Sequence, residues 1–116
     1  MHLRAMTHVD EALGQDGRIT LLVIGRPGCD DCTRWHHELE QWEGFPLLDI
    51  VTLNIRSDLG SSFKEANTWA SHIDMVPFNV LYVNGEACAH WNGGHERSTV
   101  EFCSCMNTLE HNEGRK

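Results

Sequence analysis

The apolar positions of the chain fall into blocks of two different periods. Ile19-Thr20-Leu21-Leu22-Val23-Ile24 is almost wholly apolar, rich in β-branched residues and bounded by Gly25 and Pro27, which predicts a central strand buried on both faces. The spacing changes between residue 30 and about residue 43. There Cys32, Trp35, Leu39 and Trp42 recur every three or four positions and predict one apolar helical face, with Trp35 and Trp42 assigned to the core. Asp49-Ile50-Val51-Thr52-Leu53-Asn54-Ile55 returns to strand chemistry, and residues 61–70 predict the helix of a parallel crossover. Residues 78–83 and 87–91, separated by Asn84-Gly85-Glu86, predict an antiparallel hairpin, because Asn-Gly favours a type I′ turn. At the two ends, Thr7 followed by Asp10 and Glu11 and stopped by Gly14 and Gly17 predicts a short first helix. The capping box Ser98-Thr99-Val100-Glu101 with Phe102, Met106 and Leu109 predicts a closing one. The order is αβαβαββα: an α/β fold with a central four-stranded mixed sheet flanked by helices.

Composition narrows the function classes. A chain of 116 residues, 41% hydrophobic, suffices for one core, so residues 1–116 are expected to form a single domain with its core over about 7–110 and a frayed end at 112–116. Seventeen acidic against nine basic residues give a net charge of -8, which opposes nucleic-acid phosphates and anionic membranes and favours protein or small-molecule partners. No apolar run approaches the roughly 20 residues that span a bilayer, and Met1-His2-Leu3-Arg4-Ala5-Met6 lacks the apolar centre of a secretory signal, so a cytoplasmic address is expected. There is no Gly-rich dinucleotide motif, hence no expectation of hydride chemistry on this chain. A monomer is expected.

Five cysteines cannot all pair, and the close pair Cys29/Cys32 stands apart. In a reducing compartment such a pair is a redox dithiol or half of a zinc site, with Cys103, Cys105 or His36 as further ligands. Residues 103 and 105 would lie about 200° apart on a helix, which argues against one metal holding both, and no metal is expected. Cys88, Cys103 and Cys105 read as packing residues, with an exposed Cys105 open to oxidation. The eight histidines are scattered without a repeated ligand spacing and read as solvated surface, except that His36, four residues after Cys32, is a candidate proton relay. Trp69 and Trp91 read as core or groove walls.

Strand, Cys29-Asp30-Asp31-Cys32, helix, crossover and then Met75-Val76-Pro77 before a hairpin resembles the thioredoxin superfamily over roughly residues 7–110. Thr52-Leu53-Asn54-Ile55 is similar to the third-strand segment of thioredoxins, and the distance from Pro77 to Gly93 is similar to theirs rather than to the shorter glutaredoxin hairpin. The lead-in Arg26-Pro27-Gly28-Cys29 instead resembles glutaredoxins. The family's buried acid would fall near Val23 and its tryptophan near Gly25, so neither is present. The interval between Ile55 and Pro77 is longer than in thioredoxins, which predicts an extended helix or loop containing Trp69, Ser71, His72 and Asp74 that shapes partner choice. The resemblance implies a thioredoxin fold and a cis Val76-Pro77 bond whose backbone pairs with an extended substrate; a trans proline at the start of a strand is the alternative. It also implies recharging by a flavoprotein reductase such as thioredoxin reductase, or by glutathione, with no bound cofactor beyond the redox-active disulfide Cys29-Cys32.

At a helix N-terminus, unsatisfied backbone N–H groups and the helix dipole stabilise a thiolate on Cys29, the expected nucleophile, and Cys32, one turn in, is the expected resolving thiol. Asp30 and Asp31 suit the helix terminus but oppose the charge on Cys29, which disfavours the thiolate and makes the motif a reductant; Arg26 and Arg34 offset part of this. Arg26 is thus a tuning residue with the two aspartates, while Val76, Pro77, Pro27 and Gly28 are the expected substrate-binding residues. The activity expected is thiol-disulfide exchange on protein disulfides. The alternatives are a glutathione-dependent, glutaredoxin-like protein, and a non-catalytic binding module that uses a Trp/Pro groove.

Overall fold

A computed structural model describes residues 1–15, 17–42 and 48–93. Five strands and two α-helices run in the order β1 (Leu3–Ala5), β2 (Ile19–Gly25), α1 (Asp30–Gln41), β3 (Leu48–Asn54), α2 (Asp58–Ala66), a 3-10 turn (Thr68–His72), β4 (Phe78–Val83) and β5 (Glu86–Asn92). The sheet order is β1-β3-β2-β4-β5, with β1, β3 and β2 parallel and β4 and β5 antiparallel to their neighbours. All seven residues of β2 are buried, as its unbroken apolar run requires of a strand at the centre of a sheet covered on both faces. Alternation along the strands divides the core. Leu22, Ile24, Val51, Leu53 and Val80 pack with Phe63 of α2 on one face, and Leu21, Val23, Ile50 and Leu81 pack with Trp35 and Leu39 of α1 on the other.

Among the described residues the strand count is five rather than four. Leu3–Ala5 pairs in parallel with Ile50–Thr52, and three residues are too short a run for periodicity to register. The helix expected over 7–13 does not form. Its capping contacts exist, since the Thr7 backbone N–H donates to the Glu11 carboxylate at 2.9 Å, but they close a single turn, too short to repay helix nucleation. Arg4 pairs with Glu11 and with Asp49, the latter at 2.9 Å, so this segment is tied to β1 and β3 instead.

α2 begins three residues earlier than expected and ends four earlier. Ser57 caps it, its Oγ accepting from the Gly60 N–H at 2.9 Å, and Asn67 stops it by donating from both backbone and side chain to the Phe63 carbonyl. Gly60, a weak helix former, hid the true start. The longer interval before Pro77 is the 3-10 turn, whose Trp69 bridges Phe63 and Phe78 with ring centroids 5.7 and 6.2 Å apart. The hairpin turn has Asn84 at φ 54° and Gly85 at φ 79°, both left-handed as a type I′ turn demands.

Two side chains assigned to the core lie outside it. Trp42 is 36% exposed because α1 ends at Gln41 and Trp42 takes an extended conformation that leaves the helical face. Cys88 is exposed because Leu81 pairs with Ala89 and Tyr82 with Ala87, leaving Cys88 as the extra residue of a β-bulge on an edge strand. The helix expected from Ser98, with Cys103 and Cys105, lies outside the described residues.

Candidate functional site

The end of β2 delivers the chain through Arg26, Pro27 and Gly28 to the start of α1. All three are exposed, and Gly28 has φ 76°, a conformation that strains any residue with a Cβ. Cys29 is the N-cap of α1, and its Sγ accepts from the Cys32 N–H at 3.1 Å, so one orphan helical donor is spent on sulfur. Cys29 and Cys32 form a disulfide with their Cα atoms 5.2 Å apart. Cys29 is 9% exposed and Cys32 4%, the gradient expected of an outer and an inner sulfur. Asp30 and Asp31 occupy the first turn and face solvent, where Asp31 meets Arg34 at 3.6 Å.

Across from the disulfide, the Val76–Pro77 peptide is cis, and the Val76 carbonyl oxygen lies 3.8 Å from the Cys29 Sγ. A disulfide sulfur has no hydrogen to donate, so this is proximity here; a Cys29 thiol has an acceptor within reach. Val76 is half-buried and Pro77 buried. The Gly93 N–H donates to the Pro77 carbonyl at 2.9 Å and the Asn92 side chain to the Met75 carbonyl at 3.0 Å, holding this loop against the end of β5.

Asn79, which sequence reasoning passed over, is fully buried between these parts. Its Oδ1 accepts from the Trp35 indole N–H at 2.8 Å, and its amide donates to the Gly93 carbonyl at 3.1 Å and the Trp91 carbonyl at 3.4 Å. It ties α1, three residues past Cys32, to β4, two residues past Pro77. The signal was present: a polar residue within the apolar run 78–83 must find partners.

Behind the disulfide is a cavity of about 230 Å³ lined by Gly25, Arg26, Cys32, His36, Thr52 and Asn54, among others. Gly25 makes it possible, since a Cβ there would sit 3.2 Å from the Cys32 Sγ. Among the described residues the His36 Nε2 is buried without a hydrogen-bond partner, and burial holds the imidazole below the ordinary histidine range against the opposing pull of Glu40. On the opposite face, Trp69, His72, Ile73, Phe78 and His90 line a wider groove of about 500 Å³. Among the described residues no three His, Cys, Asp or Glu side chains converge as a metal site, and no helix is long and apolar enough to cross a membrane.

No family model matches the sequence, and no curated protein matches it. Solved structures do. Thioredoxin f from spinach chloroplast superposes with a TM-score of 0.68 at 13% identity, over 89% of this chain and 91% of that one. Oxidised thioredoxin O2 from Arabidopsis thaliana gives 0.64 at 19% identity, over 92% and 93%, and the thioredoxin Mala s 13 from Malassezia sympodialis gives 0.63 at 12%, over 84% of each. Identities this low speak to architecture alone, and the superpositions extend over 84–93% of each chain. The chain therefore has the thioredoxin fold, with the Cys29–Cys32 disulfide at the start of its first helix.

Proposed function

We propose that the protein is a thiol-disulfide oxidoreductase that reduces disulfides in protein partners, acting in the cytoplasm as a monomer. The observation that carries this reading is the Cys29–Cys32 pair capping α1 opposite the Val76 carbonyl. In the reduced protein the helix N-terminus favours negative charge on Cys29, which attacks one sulfur of a substrate disulfide and expels the other as a thiolate. Cys32 then attacks the Cys29 sulfur of the mixed disulfide. The second substrate thiolate leaves, two electrons have passed to the substrate, and Cys29–Cys32 is closed. Two thiol equivalents from a flavoprotein reductase or from glutathione reopen it.

The half-buried Val76 backbone before Pro77 suits pairing with an extended substrate, which gives affinity with little sequence demand. Pro27 and Gly28 form the opposite rim. Asp30 and Asp31 place negative charge beside Cys29 and so bias the couple toward reduction of substrates, with Arg26 in partial opposition. Arg26 also supports a second reading. An exposed cation beside the disulfide suits the carboxylates of glutathione, and turnover with glutathione in the absence of a flavoprotein would favour that donor.

The test is a titration in glutathione redox buffers, reading the Cys29–Cys32 bond by alkylation and peptide mass. A reversible two-electron transition near or below about -230 mV is expected. Failure to form the bond, or full function of Cys29→Ser in a cellular complementation assay, would turn the reading to a binding module.

A further inference from the structure

One buried side chain joins the two halves of the site. Asn79 pairs across β4 with Val23 of the central strand and with Trp91 of β5, and its side chain reaches toward α1. An amide at a fully buried position is costly unless its polar atoms find partners, and an apolar residue is the ordinary choice there. The partners fix its orientation. The Trp35 indole N–H can only donate, so Oδ1 faces α1, and the Gly93 and Trp91 carbonyls can only accept, so the amide nitrogen faces the end of β5. A buried network satisfied in this way is rigid and directional, which apolar packing is not.

The end of β5 passes that constraint to the loop opposite the sulfurs. The Gly93 N–H holds the Pro77 carbonyl at 2.9 Å, and the Asn92 amide holds the Met75 carbonyl at 3.0 Å. Of three consecutive carbonyls the outer two are thus tied to β5, and the middle one, on Val76, lies 3.8 Å from the Cys29 Sγ. The polar path from the helix that carries the sulfurs to the loop that faces them runs through Trp35, Asn79, Gly93 and Pro77.

We propose that Asn79 is a positioning residue that holds the Val76–Pro77 loop in register with Cys29, and that through this register the protein discriminates extended polypeptide disulfides from small ones. This rests on the dithiol reading above. A small disulfide meets only the Cys29 thiolate, which bonds to one of its sulfurs while the other departs with the electron pair of the broken bond. A polypeptide disulfide undergoes the same step with its backbone also laid against Val76. Its reacting sulfur then arrives in line only if loop and helix keep their spacing, and a misplacement of about 1 Å can slow such a step about a hundredfold. Loosening the Asn79 link therefore penalises the polypeptide and spares the small molecule.

The experiment compares two probes with one leaving group: the thionitrobenzoate mixed disulfides of N-acetylcysteine amide and of an unstructured peptide with a single central cysteine. Each is mixed in stopped flow with the reduced protein, release of thionitrobenzoate is followed, and the rate given by Cys29→Ser is subtracted. Circular dichroism checks that each variant is folded. Trp35→Phe keeps the aromatic ring and removes the indole N–H, and Asn79→Leu keeps the volume and removes the amide. In each, the ratio of the peptide rate to the amino-acid rate is expected to fall about tenfold. The double variant should match Asn79→Leu, since both substitutions break one link. A merely structural role changes both rates together and leaves the ratio, and Trp35→Phe carries the test if Asn79→Leu does not fold. An unchanged ratio in Trp35→Phe, or single effects that add in the double variant, overturns the proposal. An unmodified protein that reacts with neither probe faster than Cys29→Ser would instead overturn the dithiol reading, and the proposal with it.

Discussion

At the scale of single residues, buried polar groups decide most. Asn79 satisfies the Trp35 indole and two carbonyls at the end of β5, so Asn79→Ala strands a buried donor and opens a void. A loss of about 2–4 kcal/mol is expected in urea unfolding followed by tryptophan fluorescence. His36 has the opposite signature, a proton site depressed in the folded state. As pH falls below 6.5 the unfolded chain takes up the proton first, so stability declines from there until the folded group also titrates. The urea midpoint should therefore drop between pH 7.5 and 5.5, and His36→Gln should flatten that slope. Removing a charge beside Cys29, by Asp30→Asn or Asp31→Asn, should raise the reduction potential by about 10–20 mV each, since both carboxylates are well solvated. Single residues were legible where their type names the chemistry, as for Cys29, Cys32 and Pro77. Asn79 and Gly25 were not, because their importance lies in what the fold brings against them.

At the scale of elements, long apolar runs and turn chemistry were readable and short-range competition was not. β2, α1 and the Asn84-Gly85 hairpin follow from period, capping and turn preference. β1 is held by a neighbour 47 residues away, and the failed helix near Thr7 lost to pairing with Arg4, neither of which a local pattern contains. Cys88 reads as core until the bulge displaces it. The junction of β2 with α1 is closely packed: a methyl at Gly25 would meet the Cys32 Sγ at 3.2 Å and its Cβ at 3.4 Å. Gly25→Ala is expected to cost about 1–3 kcal/mol of stability, measured by denaturant unfolding of the oxidised protein. The same variant should shift the Cys29–Cys32 potential, because the inner sulfur must move.

For the molecule as a whole, strand order matters more than strand sequence. β4 slots beside β2, the most buried strand, and β5 completes the sheet beyond it. A chain ended at Asp74 leaves one edge of β2 bare and is expected to show no cooperative thermal transition by circular dichroism. Such a chain would still carry both sulfurs of the motif. What it would lack is the carbonyl of Val76, 47 positions further along, that faces them. During synthesis, then, the thiols emerge long before their setting does, and until β4 docks they are an ordinary pair of cysteines open to whatever oxidant they meet.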